Sequence, residues 1–133
     1  MPDQAPPAAP FALIAMTTEE RAAGFLPVVQ EVGLVGRVYT DVEQLLYHTR
    51  GTSVPDALLL DHGLTERAPS LELVSLLRRR KGFEDLPFIY LGPANAEVHA
   101  RVVDGGVDAY ISLPTRPAVV KAHLSRLLER RRA

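Results

Sequence analysis

The chain has 133 residues, of which 47% are hydrophobic and 23% charged, and this composition is typical of one globular domain. Its formal net charge of −1 offers no general attraction to nucleic acid or to an anionic membrane. The absence of cysteine excludes disulfides, thiolate metal sites and cysteine nucleophiles. We find neither a signal-peptide pattern nor an apolar stretch long enough to cross a bilayer, so we expect a cytoplasmic protein.

The first ten residues, MPDQAPPAAP, contain four prolines and predict a disordered tail, which leaves residues 11–133 as the folded domain. From there, short apolar runs alternate with longer amphipathic stretches. The apolar runs, each predicted to be a strand, are FALIAM (11–16), LVGRVY (34–39), DALLL (56–60), PFIYL (87–91) and DAYISL (108–113).

The first two helical stretches have capping-box spacing at their starts, in which a threonine precedes a glutamate by three residues. The two pairs are Thr17 with Glu20 and Thr40 with Glu43. Within the first stretch, Gly24 and Pro27 should bend or weaken the helix.

The later helical stretches also carry boundary signals. Pro69 suits the first turn of a third helix, and Gly82 follows its end. Asn95 is suited to cap the fourth helix, which should stop at Gly105–Gly106. Pro117 suits the start of the fifth.

Strands that alternate with helices predict an α/β fold with right-handed crossovers. At about 25 residues per unit, the natural architecture is a doubly wound five-stranded parallel sheet of order 2-1-3-4-5, as in flavodoxin-like folds. Its carboxyl edge would gather the loops after Met16, Leu60 and Leu91, with Leu113–Pro114 beside them. Any functional site is expected there.

The stretch VPDALLLDHG places one carboxylate at this edge, because its apolar run ends abruptly at Asp61. An aspartate after a buried strand can close a turn by accepting backbone N–H groups. At the carboxyl end of a parallel strand it can equally belong to a functional site.

Three segments, PDALLLD, DLPFIYLG and GGVDAYISLP, resemble the third strand, the fourth strand and the fifth-strand region of response-regulator receiver domains. The resemblance extends from Phe11 to about Arg130 and implies a CheY-like fold. It places Asp61 at the phosphoacceptor position and Tyr110 at the position of the switch aromatic, whose orientation reports phosphorylation. It also implies a cis peptide bond between Leu113 and Pro114.

Four positions depart from the receiver pattern. Met16 and Thr17 stand where receivers carry the acidic pair that holds Mg²⁺, a cation that demands oxygen ligands, usually carboxylates. Gly92 stands in place of the Ser or Thr that binds the phosphoryl group, and Leu113 in place of the lysine. Glu19 and Glu20 lie at a helix start, where they stabilise the helix and do not replace the acidic pair. We therefore interpret Asp61 as a remnant that is not phosphorylated.

Other candidate residues predict no site. His48, His62, His99 and His123 are scattered without metal-ligand spacing, and neighbours on a strand such as Asp61 and His62 should point to opposite faces. The basic runs RRRK (78–81) and ERRR (129–132) fall at helix C-termini, where they are interpreted as solvated cations that complement the helix dipole.

Two functions remain as hypotheses. The first is a pseudo-receiver: a binding module in bacterial signal transduction, with no catalytic residues, cofactor or small-molecule substrate, that contacts another signalling protein or a second copy. Its expected partner face, formed by the fourth helix, fifth strand and fifth helix, would offer His99, Val103, Tyr110 and Arg116. Since the sequence shows no output domain, binding is the output expected of it.

The alternative is a single-domain response regulator that a histidine kinase phosphorylates on Asp61, with Mg²⁺ as cofactor. A flavin- or nucleotide-binding enzyme on the same fold is disfavoured, because Glu19 and Glu20 would repel phosphate at the helix start.

Overall fold

The computed structural model describes residues 9–50, 53–65 and 72–132. In this part of the chain, a five-stranded parallel sheet has the order β2-β1-β3-β4-β5, which confirms the predicted architecture. The strands are β1 Phe11–Ala15, β2 Val35–Tyr39, β3 Ala57–Asp61, β4 Phe88–Gly92 and β5 Ala109–Ser112. The helices are α1 Glu19–Ala23, α2 Leu26–Glu31, α3 Val42–His48, α4 His62–Thr65, α5 Glu72–Arg78, α6 Ala96–Asp104 and α7 Pro117–Arg132.

The core consists of two layers, one on each face of the sheet, because alternate residues of a strand point to opposite faces. Leu58 and Leu60 pack with Tyr90 in the layer that includes Leu77 of α5 and Val102 of α6. The other layer contains strand residues together with residues of α2 and α7: Ile14, Leu59, Ile89, Leu91, Val28, Val29, Val120, Leu124 and Leu128. The three central strands β1, β3 and β4 are buried along their whole length, so their carboxyl ends are held rigidly.

The first two helix starts lie one residue later than the capping-box spacing predicts. Thr18, not Thr17, caps α1 by accepting a hydrogen bond from the backbone N–H of Arg21 at 3.1 Å. Asp41, not Thr40, caps α3 through the N–H of Glu43 at 2.9 Å. Both caps have the extended backbone that an N-cap requires.

The later boundary signals are largely confirmed. Asn95 caps α6 through the N–H of Val98 at 3.0 Å, α6 ends before Gly105, and α7 begins at Pro117. Pro69 and most of the predicted disordered tail lie outside the described residues. None of the helices in the described ranges is long and apolar enough to cross a membrane.

The first helical stretch is split into two short helices, as Gly24 and Pro27 predict. Gly24 follows the last residue of α1, and Pro27 lies in the first turn of α2, where its missing N–H costs no hydrogen bond. Because of this break, α1 is only five residues long, and it lies just after the carboxyl end of β1.

The turn after β5 contains the cis peptide bond between Leu113 and Pro114 that the resemblance implied. The backbone N–H of Leu113 donates to the carbonyl of Gly92 at 2.7 Å, which ties this turn to the end of β4.

Arg78 corrects the interpretation of the RRRK run as solvated. Its side chain is only 15% exposed, and its guanidinium donates to the carbonyls of Phe83, Leu86 and Gly106 and to the carboxylate of Asp108. A charge can be buried in this way because nearly all of its donors are satisfied. Arg78 therefore fastens α5 to the amino-terminal ends of β4 and β5.

Candidate functional site

Asp61 is the last residue of β3, and its side chain is only 3% exposed at the carboxyl edge of the sheet. Its carboxylate is paired with Arg21 in a bidentate arrangement. The Arg21 Nε–H donates to Oδ2 at 3.0 Å, and Nη2–H donates to Oδ1 at 3.1 Å. Such fork-to-carboxylate pairs are strong, because both hydrogen bonds are charge-assisted and their geometry is fixed. The buried charge of Asp61 is thus neutralised by a residue of the chain itself.

The local structure of α1 explains how Arg21 reaches this position. Thr18 caps the helix through the backbone N–H of Arg21, which fixes the first turn. The side chain of Arg21 is 46% exposed, so its outer side faces solvent while its Nε and Nη2 atoms face Asp61. Sequence reasoning missed this residue, although Arg21 is the first basic side chain after β1.

Thr17 supplies a third contact, since its hydroxyl donates to Oδ2 of Asp61 at a long 3.4 Å. Gly63 makes this approach possible. A Cβ atom at position 63 would lie 2.6 Å from Cγ2 of Thr17, a distance that side chains do not tolerate. Thr17 therefore donates to the carboxylate of Asp61, and Thr18 caps α1.

Mg²⁺ does not fit the residues present. Met16 is fully buried in the core, and both oxygens of Asp61 already accept from Arg21. Glu19 and Glu20 are exposed in the first turn of α1. Within the described ranges, no group of three or more His, Cys, Asp or Glu side chains is placed to hold a metal ion. A divalent cation would have to displace the guanidinium while gaining only one carboxylate, and hard cations need more oxygen ligands than that.

Tyr110 lies directly against Gly92, the last residue of β4. A Cβ atom at position 92 would lie 2.5 Å from the Tyr110 hydroxyl oxygen and 3.0 Å from Cζ. The hydroxyl donates to the backbone carbonyl of Pro93, just beyond β4. Burial raises the pKa of the Tyr110 phenol above its ordinary value, which keeps the hydroxyl in the neutral, donating form.

A series of rings runs from this edge to the protein surface. His99, on α6, stacks on Tyr110 with ring centroids 4.4 Å apart and planes 9° apart. Tyr110 also stacks on the buried Tyr90, with ring centroids 5.5 Å apart and planes 21° apart. The Nδ1 atom of His62 lies 2.6 Å from the Tyr90 hydroxyl, so His62 is turned toward β4 at the start of α4.

The four histidines do not converge, as the sequence predicted. His48 lies on α3 beside Tyr39 and Tyr47, and His123 lies on α7. His62 contacts Tyr90 and His99 stacks on Tyr110, so the two histidines lie at opposite ends of this series of rings.

The residues expected on the partner face lie together in part. His99 and Val103 are one helical turn apart on α6, and they line a shallow groove with Ala96, Ala100 and Asp104. Val103 is 48% exposed, which is high for a large apolar side chain. Arg116 is exposed between β5 and α7, and Leu113, in the turn before it, is half-buried against the second core layer.

Comparisons of sequence alone identify no relative: no protein-family model matches the chain, and no curated protein matches it significantly. Comparisons of structure find many similar folds. A CheY-like response-regulator receiver domain from Methanospirillum hungatei JF-1 is 17% identical, with a TM-score of 0.80 over 94% of this chain and 98% of its own.

Two further structures are receiver domains of sensor kinases. The signal receiver domain of a histidine kinase from Syntrophus aciditrophicus is 20% identical, with a TM-score of 0.77 and 91% of each chain covered. The receiver domain of a sensor histidine kinase from Pseudomonas aeruginosa PAO1, solved with magnesium coordinated in its active-site cleft, is 19% identical, with a TM-score of 0.73 over 92% of this chain and 99% of its own. The chain therefore has the fold of receiver domains.

The Arg21–Asp61 pair predicts a measurable coupling energy. In a double-mutant cycle of Arg21→Gln and Asp61→Asn, followed by urea unfolding, we expect a coupling of at least about 1 kcal/mol, because hydrogen bonds to a buried charge are stronger than average. Arg21→Gln alone should destabilise the fold more than the double variant, because it leaves the buried carboxylate without its cation.

The matched control is the ion pair of Lys121 and Glu31, whose side chains are 45% and 56% exposed. The same cycle with Lys121→Gln and Glu31→Gln should give less than about 0.5 kcal/mol, as is usual for exposed pairs. Equal coupling energies in the two cycles would contradict the buried-pair interpretation.

Proposed function

We propose that this chain is a receiver-like domain that binds another signalling protein and that does so without phosphorylation of Asp61. The observation that carries the proposal is the bidentate pairing of Asp61 with Arg21. An internal guanidinium occupies the carboxylate that a phosphorylatable receiver leaves free for a metal ion and a phosphodonor.

The chemistry of phosphoryl transfer supports this proposal. A carboxylate nucleophile must direct a free oxygen toward the phosphorus, and the transferred group needs cations to neutralise its charge. Both Asp61 oxygens are engaged, and the positions of the phosphoryl-binding hydroxyl and lysine are held by Gly92 and Leu113. Arg21 could supply one positive charge, but only by releasing the carboxylate that it stabilises.

The proposed partner face consists of α6, β5 and the start of α7, and its members are His99, Val103, Tyr110 and Arg116. Tyrosine and arginine are residue types that commonly dominate binding energy at interfaces, and Val103 adds an exposed apolar side chain. His99 is stacked on Tyr110, so part of this face is already ordered in the free protein. Ordering before binding reduces the entropic cost of association. The proposed partner is a second signalling protein, and self-association through this face is a separate outcome for sedimentation measurements to detect.

The first test is exposure of the protein to a small phosphodonor with millimolar Mg²⁺, followed by intact-mass spectrometry. We expect no added phosphoryl group and no saturating NMR shift around Asp61, because a single carboxylate already paired with arginine is a poor Mg²⁺ site. Asp61→Asn is the control, since it removes the acceptor. A phosphoryl group on the unmodified protein that is absent from Asp61→Asn would contradict the proposal and favour a phosphorylated response regulator.

The second test compares the two regions of the molecule in binding. A partner captured with the unmodified protein and identified by mass spectrometry is purified and titrated calorimetrically against variants. Asp61→Asn should leave its affinity nearly unchanged, whereas Tyr110→Ala combined with Val103→Asp should weaken it by at least about tenfold, or 1.4 kcal/mol.

The matched control is Val35→Asp. Val35 is 51% exposed, close to the 48% of Val103, but it lies on β2 at the opposite edge of the sheet. This variant should bind normally, and thermal unfolding of each variant separates lost binding from lost folding. Loss of binding in Asp61→Asn, with a stable fold, would show that the carboxylate is needed.

A further inference from the structure

We propose that Gly92 is the positioning residue of the partner face: by lacking a side chain, it holds the ring of Tyr110 in one orientation whatever the state of Asp61. The role of this ring in binding rests on the proposed function. The orientation of the ring itself does not, and it can be tested in the free protein.

The first step is steric. Position 92 lies in a strand, and its φ is not in the left-handed region, so the backbone itself does not require glycine there. The space is what requires it. A Cβ atom would stand 2.5 Å from the Tyr110 hydroxyl oxygen and 3.0 Å from both Cζ of Tyr110 and Cε1 of Tyr90. Any side chain at position 92 must therefore push the phenol ring away.

The second step is that the ring fills the space with satisfied contacts. Its hydroxyl donates to the Pro93 carbonyl, and its ring stacks on Tyr90 and on His99. Tyr90 is fully buried and its own hydroxyl meets His62, so it cannot move aside easily. Rotation of Tyr110 outward would break one hydrogen bond and two ring contacts together.

The third step is independence from the carboxylate. The contacts that hold Tyr110 come from the end of β4, the residue after it, and α6. Asp61 is bound instead by Arg21 and Thr17. Both residues follow β1, and β1 is separated from β4 and β5 by β3 in the sheet. His62, the next residue after Asp61, contacts the buried Tyr90. Neutralising Asp61 therefore leaves the support of Tyr110 in place.

The consequence concerns the shape of the surface. Because His99 stacks on the outer side of Tyr110, the position of the ring also sets the position of His99, and Val103 follows one turn later on α6. A partner would therefore bind a surface of one fixed shape. Gly92 determines that shape through Tyr110 and does not itself contact the partner.

The experiment is NMR on protein with ¹³C- and ¹⁵N-labelled tyrosine and histidine. Three-bond couplings about χ1 of Tyr110 should report a single rotamer, and the His99 ring protons should be shifted upfield by the face of the stacked phenol. In Gly92→Ala, Tyr110 should adopt a different rotamer and His99 should lose most of that upfield shift. In Asp61→Asn, both signals should stay where they are in the unmodified protein.

Gly24→Ala is the matched control for a glycine-to-alanine change. A Cβ atom at position 24 meets only the carbonyl oxygen of Arg21, at an ordinary 3.5 Å. This variant should therefore leave the signals of Tyr110 and His99 unchanged.

Three results would overturn the proposal: averaged χ1 couplings in the unmodified protein, an unchanged Tyr110 rotamer in folded Gly92→Ala, or a rotamer change in Asp61→Asn. The first and third need no substitution at position 92, so they decide the matter even if Gly92→Ala fails to fold. The measurement also separates this inference from the proposed function. Phosphorylation of Asp61 with no movement of Tyr110 would defeat the proposed function alone, whereas a mobile Tyr110 in a protein that is not phosphorylated would defeat this inference alone.

Discussion

A carboxylate that is almost completely buried must be neutralised or lose its charge, and this constraint governs the carboxyl edge of the sheet. Here Asp61 is neutralised by Arg21, with two charge-assisted hydrogen bonds of 3.0 and 3.1 Å. A protein side chain is a permanent partner, whereas a bound metal ion can exchange and can accept further ligands. The pair fastens α1 to the end of β3.

The position of Tyr110 depends on the absence of a side chain at Gly92. The missing side chain at Gly92 makes room for Tyr110 against the end of β4, and His99 then covers the outer side of the phenol. In a phosphorylation-dependent switch, an aromatic residue needs two positions of similar energy. A hydrogen bond and two stacking contacts favour one position of the Tyr110 ring, and such an arrangement suits a surface of fixed shape.

The fold could be predicted because the five apolar runs and most of the helix boundaries are local signals that agree with one another. Asn95 and Pro117 lie where their chemistry places them. The two predicted caps lie one residue too early, because Thr18 and Asp41 are also favoured N-cap residue types and the local sequence does not decide between neighbours. His62 begins a helical turn and does not continue the strand, and it contacts Tyr90, whereas Asp61 is bound by Arg21 and Thr17.

The partners of Asp61 could not be predicted from the sequence. The resemblance to receivers implies which groups are absent at Met16 and Gly92, whereas the contacts that Asp61 makes depend on distant segments of the chain. Arg21 and Asp61 are 40 residues apart, and no local pattern joins them. One signal was available: a buried aspartate without neighbouring acids requires a cation, and Arg21 is the first basic residue after β1.

The measurement that tests the central claim most directly is NMR of the Arg21 side-chain Nε–H group, with and without millimolar Mg²⁺ and a phosphodonor. This proton is hydrogen-bonded to the buried carboxylate of Asp61, so it should exchange slowly with water. Its signal should keep its position and intensity when Mg²⁺ and phosphodonor are added. The contrary result is that Mg²⁺ and phosphodonor release Arg21, so that this proton exchanges fast and new shifts arise at Asp61. That result would contradict the account and show that the carboxylate remains available for phosphoryl transfer.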